Sequence, residues 1–129
     1  MPNVLEKIIE EKKKLLKLIK KNNSLDSLEE KIKNLKCFLS FKEAIQNNKG
    51  VSLITEIKKA SPSAGVIIKD FDHLKIAEKY INNGATCLSV LTEEKFFLGN
   101  HKYIQDIKNN FKIPILAKDF FIDPYQVTL

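Results

Sequence analysis

The chain has 129 residues, is 43% hydrophobic and carries a formal net charge of +6 at neutral pH. This length suits one domain, and no apolar run approaches the roughly 20 residues that a membrane-spanning helix needs. The first residues, MPNVLEKIIEEKKK, lack the apolar segment and cleavage site of a signal peptide, so we expect a soluble protein of the cytoplasm.

The basic residues are all lysines, and this argues against a nucleic-acid partner. Arginine is the side chain best suited to reading guanine and stacking on bases, and the sequence contains none. Ten of the 22 lysines fall within residues 1–36, mixed with six acids along helical faces, a pattern typical of a solvated surface. We therefore expect no nucleic-acid partner and no membrane partner.

The two cysteines give no indication of a disulfide or a metal site. Cys37 and Cys87 are far apart, with no CxxC pattern and no histidine at ligand spacing. Isolated cysteines of this kind are typically small buried side chains in a reducing compartment. We expect both to be free, and we expect no metal.

Three helices are predicted before residue 51. Apolar residues at helical spacing across 4–19 indicate an amphipathic helix that needs a partner surface. The stretch 23–30, rich in N-cap residues, opens a second helix. A third, short helix is expected over 41–48, with Ser40 as its cap and Gly50 at its C-terminal stop.

From residue 51 onward, short apolar strands alternate with helices. In chain order we predict a strand at 51–57, a helix at about 73–83, a strand at 86–91, a helix at about 101–110, a strand at 115–118 and a helix that opens at 123–126. A polar Ser-Pro-Ser-Ala-Gly loop follows the first strand. Strands that are apolar on both faces imply parallel pairing under covering helices.

Two architectures satisfy this order of elements. One is an open, doubly wound sheet of the flavodoxin type, and the other is part of a (β/α)8 barrel. Both place the active site at the carboxyl ends of the strands, so the residues that follow each strand are the candidates for chemistry.

The first strand ends in two charged residues. Glu56 and Lys58 are two residues apart in an extended segment, so their side chains project to the same face. A carboxylate and an ammonium group on an otherwise apolar strand end are costly to desolvate, which suggests a function. The alternative is an ordinary ion pair at the end of a strand.

The other two strands are followed by further candidates. Lys118 closes an apolar run and is either a general acid or a lysine that only extends into solvent. Phe96 and Phe97 either form a wall for an aromatic substrate or pack under a loop. The sequence has no Walker loop, dinucleotide-binding glycine motif, zinc signature or nucleophile elbow.

Three segments resemble motifs of one enzyme family, in the order and spacing of that family. The segment ITEIKKASPSAG is similar to the Glu-x-Lys strand end and Ser-Pro-Ser loop of indole-3-glycerol-phosphate synthases. NNGATCLSVLTEEKFFLGN resembles the second strand and loop of that family, and IPILAKDFFIDPYQV resembles its third strand with a Lys-Asp-Phe signature. The N-terminal helices resemble the extension that precedes the family's first strand. The resemblance is strongest over 51–126.

The resemblance implies an α/β fold, namely the N-terminal part of a (β/α)8 TIM barrel with three parallel strands and their helices. We expect one incomplete barrel domain over 1–129, with a helical extension at 1–50 and the barrel elements at 51–129. A complete barrel takes roughly 250 residues, so the expected protein is an incomplete synthase.

The resemblance also implies an activity. The family closes the indole ring of indole-3-glycerol phosphate from 1-(2-carboxyphenylamino)-1-deoxyribulose 5-phosphate with loss of carbon dioxide, in tryptophan biosynthesis, and it uses no metal or organic cofactor. Lys118 matches the family's general acid, and Lys58 matches a lysine that contacts the anionic groups of this phosphorylated small molecule. Glu56 matches a glutamate that orients these lysines and the reacting amine or hydroxyl. Ser61 and Pro62 match the loop residues over the substrate, and Phe97 and Phe120 match its apolar pocket.

Two further expectations concern a polypeptide of residues 1–129. The family's later catalytic residues and glycine-rich phosphate site have no match here, so we expect this polypeptide to be inactive alone. We also expect self-association through exposed barrel edges and through inward apolar side chains such as those of Ile54, Leu88 and Leu116. The alternative, from another class, is a non-catalytic half-barrel that works only by assembling with a partner.

Overall fold

The helices and strands of the computed structural model begin and end close to the capping and glycine signals of the sequence. The structure describes residues 3–35 and 37–129, and Met1, Pro2 and Lys36 lie outside the described residues. The elements are α1 (Val4–Asn22), α2 (Leu25–Lys33), α3 (Phe41–Gln46), β1 (Ile54–Ile57), β2 (Ala60–Ser61), β3 (Gly65–Val66), α4 (His73–Asn82), β4 (Cys87–Leu91), α5 (His101–Asn110), β5 (Ile115–Lys118) and α6 (Tyr125–Thr128).

These elements divide into two units. The first, called here the helical unit, contains α1, α2 and α6, and the second, the sheet unit, covers Leu39–Asp119. In the helical unit, α1 begins with a capping box in which the Asn3 side chain accepts the Glu6 N–H while Glu6 accepts the Asn3 N–H, both at 2.9 Å. Its core is formed by Leu16, Leu28 and Tyr125, which are buried together.

Polar contacts also join α6 to α1 within the helical unit. The Tyr125 hydroxyl donates to the carbonyl of Asn23 at 2.7 Å. Lys20 donates to a carboxylate oxygen of Asp123 at 2.6 Å, and this bond lowers the pKa of Asp123. As predicted, α6 opens at the Asp123–Pro124 segment.

The sheet unit is built on three parallel strands in the order β1-β4-β5. In a (β/α)8 barrel, strands that are consecutive in the chain are neighbours in the sheet. A flavodoxin-type sheet instead places its second strand on the side of the first strand that faces away from the third. Helices α4 and α5 also pack on one face of the sheet, because Ala77 and Ile107 share a buried cluster with Leu88 and Val90. Strand order and helix placement therefore both agree with the N-terminal part of a barrel.

The opposite face of the sheet is the one that would line a barrel. The register pairs Ile54 with Cys87 and Ser89 with Leu116, and paired residues of parallel strands share a face. Leu88 is fully buried against α4 and α5 instead. The prediction that Leu88 faces inward with Ile54 and Leu116 is therefore wrong, because this register places the odd-numbered residues of β4 on the inward face.

The segment after β1 is a hairpin, whereas the sequence predicted an irregular loop. Ala60 pairs with Val66 and Ser61 with Gly65 in antiparallel register. Gly65 has a φ of 65°, a left-handed conformation that glycine adopts without strain. The Ile67 N–H donates to the carbonyl of Lys59 at 2.8 Å and closes the base of the hairpin.

Most other helix and strand boundaries agree with prediction, with two exceptions, at the end of α3 and at the start of β1. Helix α3 ends at Gln46, ahead of the predicted stop at Gly50, and β1 begins at Ile54 while Val51 is 96% exposed. The predicted cap at Ser40 is confirmed, since its side chain accepts an N–H bond from the first turn of α3, and Asn100 caps α5 in the same way.

The two cysteines differ in burial. Cys37 and Cys87 are both free, but only Cys87 is buried, and burial raises the pKa of its thiol. The expectation that both are buried is therefore wrong for Cys37.

Across 3–35 and 37–129, no helix combines the length and apolar character that a membrane crossing requires.

Candidate active site

The carboxyl edge of the three-stranded sheet collects the charged residues that follow each strand. Because β1, β4 and β5 are parallel, the segments after Ile57, Leu91 and Lys118 emerge at one edge. This edge of the sheet unit is the candidate active site.

Glu56 and Lys58 form an ion pair at the end of β1. Lys58 Nζ lies 2.7 Å from Glu56 Oε1, and the two side chains are 34% and 36% exposed. The Tyr80 hydroxyl donates to the Glu56 carbonyl at 3.2 Å and ties this strand end to α4. A pair exposed to this degree is well screened by water, so it adds little to stability and stays accessible to a charged ligand.

Lys118 is the last residue of β5. It is exposed, and its register partner is Leu91 on the central strand, which places it two strand spacings, roughly 10 Å, from β1. The Thr92 N–H donates to the Lys118 carbonyl at 3.0 Å and holds the backbone there. The structure thus brings Glu56 and Lys58 into contact and places Lys118 on the same edge, apart from them.

Two buried polar residues fasten the ends of β4 and β5 together. The Thr92 hydroxyl donates to Asp119 Oδ2 at 2.9 Å, and the Asp119 side chain is only 2% exposed. His101 Nε2 is 4.0 Å from the same carboxylate oxygen. These contacts hold the residue that directly follows Lys118.

The loop after β4 is organised by Glu93. This residue is 4% exposed, and its carboxylate accepts N–H bonds from Lys95 at 3.1 Å, Phe96 at 2.7 Å and Phe97 at 2.9 Å. The Gly99 N–H donates to the Glu93 carbonyl at 2.7 Å and closes the other end of the loop. Phe97, a predicted pocket residue, is half-buried in this loop.

The remaining predicted residues lie on the hairpin and in the helical unit. Ser61 Oγ is 3.3 Å from Ser63 Oγ and accepts the Ala64 N–H at 3.2 Å, while Pro62 is exposed at the turn. Phe120 is half-buried in the helical unit, where its carbonyl accepts a bond from the Gln126 side-chain amide at 3.0 Å.

Sequence reasoning did not single out Thr92, Glu93 or Asp119. The available signal was position, since each lies within two residues of the end of a strand at the carboxyl edge. Among residues 3–35 and 37–129, no group of three or more histidine, cysteine or carboxylate side chains is arranged to hold a metal. The side chains that this edge presents are ammonium groups, carboxylates and the phenylalanines of the loop after β4.

Comparisons with known proteins all point to one enzyme family. A family model described as "Indole-3-glycerol phosphate synthase" matches residues 5–129. The chain is 44% identical over 124 residues to the indole-3-glycerol phosphate synthase of Alkaliphilus metalliredigens, an alignment that covers 96% of this chain and 48% of that protein. The synthase of Endomicrobium trichonymphae is 46% identical over 130 residues, with 96% and 48% covered.

A third relative, the synthase of Desulforamulus reducens, is 44% identical over 124 residues, with 96% of this chain and 47% of that protein covered. The chain spans about half the length of the curated relatives that it matches. The strand order, the charged carboxyl edge and these matches show that the chain belongs to the indole-3-glycerol phosphate synthase family, whose members are carboxy-lyases of tryptophan biosynthesis.

Proposed function

We propose that this chain supplies the N-terminal catalytic half of an indole-3-glycerol phosphate synthase. In a completed barrel the reaction is the decarboxylating ring closure of 1-(2-carboxyphenylamino)-1-deoxyribulose 5-phosphate to indole-3-glycerol phosphate. The observation that carries the proposal is the carboxyl edge itself, where a solvent-accessible Glu56–Lys58 pair at the end of β1 and Lys118 at the end of β5 lie on the same edge of the parallel sheet.

The chemistry requires a proton donor at the substrate's ketone. As the aromatic ring attacks the carbonyl carbon, negative charge develops on the carbonyl oxygen, and an ammonium group can protonate it. Lys118 is the proposed donor, since its backbone is fixed by Thr92 while its side chain is exposed at the edge. Carbon dioxide leaves from the ring carbon that carried the carboxylate, and water is lost in the later dehydration.

The substrate carries a carboxylate and a phosphate, and these need cations. Lys58 is proposed to contact the anionic groups, and Glu56 to hold Lys58 in place through the 2.7 Å ion pair. Because both side chains are partly exposed, a bound anion can share the ammonium group without having to displace a buried carboxylate.

An aromatic slot is the second requirement of an anthranilate-bearing substrate. Phe97 and Phe120 are the proposed apolar pocket residues, and Ser61 and Pro62 the proposed loop residues over the substrate. The β2–β3 hairpin that carries Ser61 and Pro62 follows the Glu56–Lys58 strand end directly, which supports its role as a cover. Neither metal nor organic cofactor enters this proposal.

A second candidate is a non-catalytic half-barrel that acts only by assembly with a partner. The exposed inward apolar side chains favour it, since Ile54 is 47% and Leu116 45% exposed on the face that a closed barrel would cover.

We also keep three predictions: one incomplete barrel domain over residues 1–129, a cytoplasmic location, and no nucleic-acid partner.

One experiment separates the two candidates. Residues 1–129 are joined to the C-terminal half of the Alkaliphilus metalliredigens synthase, and indole-3-glycerol phosphate formation is followed by indole fluorescence. Turnover by the joined protein that is lost with Lys118→Ala supports the synthase proposal. A folded joined protein without turnover, in which this chain only restores assembly, supports the half-barrel alternative and rejects a catalytic role for these residues.

A further inference from the structure

We infer that Glu93 is a positioning residue, which fixes the aromatic loop of residues 93–99 so that the ligand pocket is formed before the ligand arrives. The inference rests on the proposed function for the identity of the ligand, a compound with an anthranilate ring. Glu93 lies within the segment that resembles the family's second strand and loop, but that resemblance gave it no role.

Both oxygens of the Glu93 carboxylate are occupied by the loop backbone. Oε1 accepts the N–H of Lys95 at 3.1 Å, and Oε2 accepts those of Phe96 and Phe97 at 2.7 and 2.9 Å. Three neighbouring N–H groups converging on one anion resemble the backbone arrangements that bind phosphate, with a side chain of the protein in place of the anion.

Burial explains why this arrangement sets the loop conformation. A glutamate that is 4% exposed is costly unless its charge is met by hydrogen bonds, and here the loop backbone supplies them. A loop that released these N–H groups would leave a carboxylate buried without partners. The folded loop and the buried carboxylate therefore stabilise each other.

The far end of the loop is equally constrained. Gly99 donates its N–H to the Glu93 carbonyl, and a Cβ added at Gly99 would come within 2.3 Å of the Leu91 carbonyl oxygen. Leu98 adopts a φ of 52°, a left-handed conformation that is uncommon for leucine. A loop that accepts this strain is held by the surrounding bonds rather than by its own preference.

The functional consequence follows from preorganisation. An aromatic wall that is already ordered binds an aromatic ring without the entropy cost of ordering it. Loss of Glu93 should therefore weaken ligand binding more than it slows the chemical step, because the proposed proton donor Lys118 is held by Thr92 and by β5.

The test compares Glu93→Gln with Glu94→Gln. Glutamine at position 93 keeps the shape of the side chain but replaces one acceptor oxygen with an amide that cannot accept an N–H bond. Glu94 is the adjacent, exposed glutamate and therefore provides the same chemical change without the buried contacts. Amide hydrogen exchange at Phe96 and Phe97 is measured in the full chain and in the joined protein. The joined protein also gives kcat and KM, and the Kd for anthranilate from its fluorescence.

We expect Glu93→Gln to raise the exchange rates of the Phe96 and Phe97 amides about tenfold, to raise KM about tenfold and to leave kcat within about threefold of the wild-type value. Glu94→Gln should leave all three quantities unchanged. Unchanged exchange, or faster exchange with KM and anthranilate Kd equal to those of Glu94→Gln, would overturn the inference. If Glu93→Gln does not fold, Glu93→Asp decides instead: an intermediate KM supports the role, and a wild-type KM rejects it. A joined protein that lacks turnover but shows Glu93-dependent anthranilate binding rejects the proposed reaction and leaves the positioning role standing.

Discussion

At the scale of single residues, the charged groups of the carboxyl edge fall into two kinds. Glu56 and Lys58 are about one-third exposed and paired with each other, which leaves their outer surfaces open to a ligand. Glu93 and Asp119 are almost completely buried and bind hydroxyl or backbone groups of neighbouring strands and loops. The first kind is suited to contacting a substrate, and the second to holding the backbone that presents those contacts.

We predict that Lys118→Ala abolishes ring closure in the joined protein. General acid catalysis typically contributes on the order of a hundredfold or more to the rate, so turnover should fall by at least about that factor. Lys112→Ala, an exposed lysine before β5, serves as the control and should leave turnover unchanged. Near-normal turnover by the Lys118 variant would show that the proposed role is mistaken.

Phe97→Ala tests the aromatic wall. A pocket aromatic contributes on the order of 1–3 kcal/mol to binding, so we expect KM to rise by roughly tenfold or more while Tm changes little. Phe96→Ala is the matched control, since both residues donate their N–H to the same Glu93 oxygen. A large fall in Tm with an unchanged KM would mean that Phe97 is a packing residue.

At the scale of elements, capping residues in the sequence predicted the helices well. The hairpin and the burial of individual loop residues depend on contacts that only the folded chain makes. The caps at Ser40 and Asn100 act within one turn and are therefore visible in the sequence. The two-residue strands of the hairpin are too short to show any periodicity, so they were predicted as a loop. Glu93 and Glu94 are chemically identical, and only the fold buries the first of them.

The candidate site was predictable to a similar extent. The sequence placed Glu56 and Lys58 on one face because extended segments alternate with a period of two, and the 2.7 Å contact agrees. The same rule did not give the correct face for Leu88. A period of two shows that successive side chains alternate between the two faces of a strand, but it does not show which face the helices cover. That assignment needed the register between β1 and β4.

We predict that Gly99→Ala destabilises the sheet unit substantially. The new methyl group would lie 2.3 Å from the Leu91 carbonyl oxygen and 2.9 Å from that of Glu93, and both are backbone atoms that cannot move away easily. Overpacking of this kind costs about 1–3 kcal/mol or more in the free energy of unfolding, measurable by urea denaturation. Gly50→Ala is the control, because nothing lies within 4 Å of a Cβ at that position. Equal stability of the two variants would contradict the close approach described here.

The N-cap of α4 gives a prediction about pH. Asp72 accepts N–H bonds from Lys75 and Leu74, and these bonds, with the nearby Lys75 ammonium, lower the pKa of its carboxyl group. Because the pKa in the folded protein lies below its unfolded value, the stabilisation is present above the unfolded pKa. It is lost as the pH falls through the folded pKa.

Asp72→Asn keeps a capping side chain but removes its titration. We therefore expect the Tm of this variant to fall less than that of the wild type as the pH drops from about 5 into the acid range, because the wild type loses this stabilisation progressively below the unfolded pKa of aspartate, about 3.9. Asp70→Asn, two residues earlier and exposed, should behave like the wild type. Parallel Tm curves for wild type and Asp72→Asn would exclude a contribution from this cap.

At the scale of the whole molecule, the inward face of the sheet carries apolar side chains that stay about half exposed, Ile54 at 47% and Leu116 at 45%. In a polypeptide of residues 1–129, we expect β1 and β5 to act as open edges and the polypeptide to self-associate. Size-exclusion chromatography with light scattering should show oligomers, and no synthase turnover is expected.

Leu116→Lys places a charge on the inward face and should shift the distribution toward monomer. Leu18→Lys introduces the same charge on α1, at a residue that is 63% exposed, and should leave it unchanged. A monodisperse monomer formed by the unmodified polypeptide, unfolding cooperatively, would contradict this expectation.

The order of the strands in the sheet has a consequence for how the protein is made. Strands β1, β4 and β5 lie side by side in the same sequence in which the ribosome produces them. β4 and β5 each emerge after the strand against which they pair, and the helix that connects the two paired strands has by then already been synthesised. The sheet can therefore grow in one direction during translation, with each new strand added beside the strand made before it.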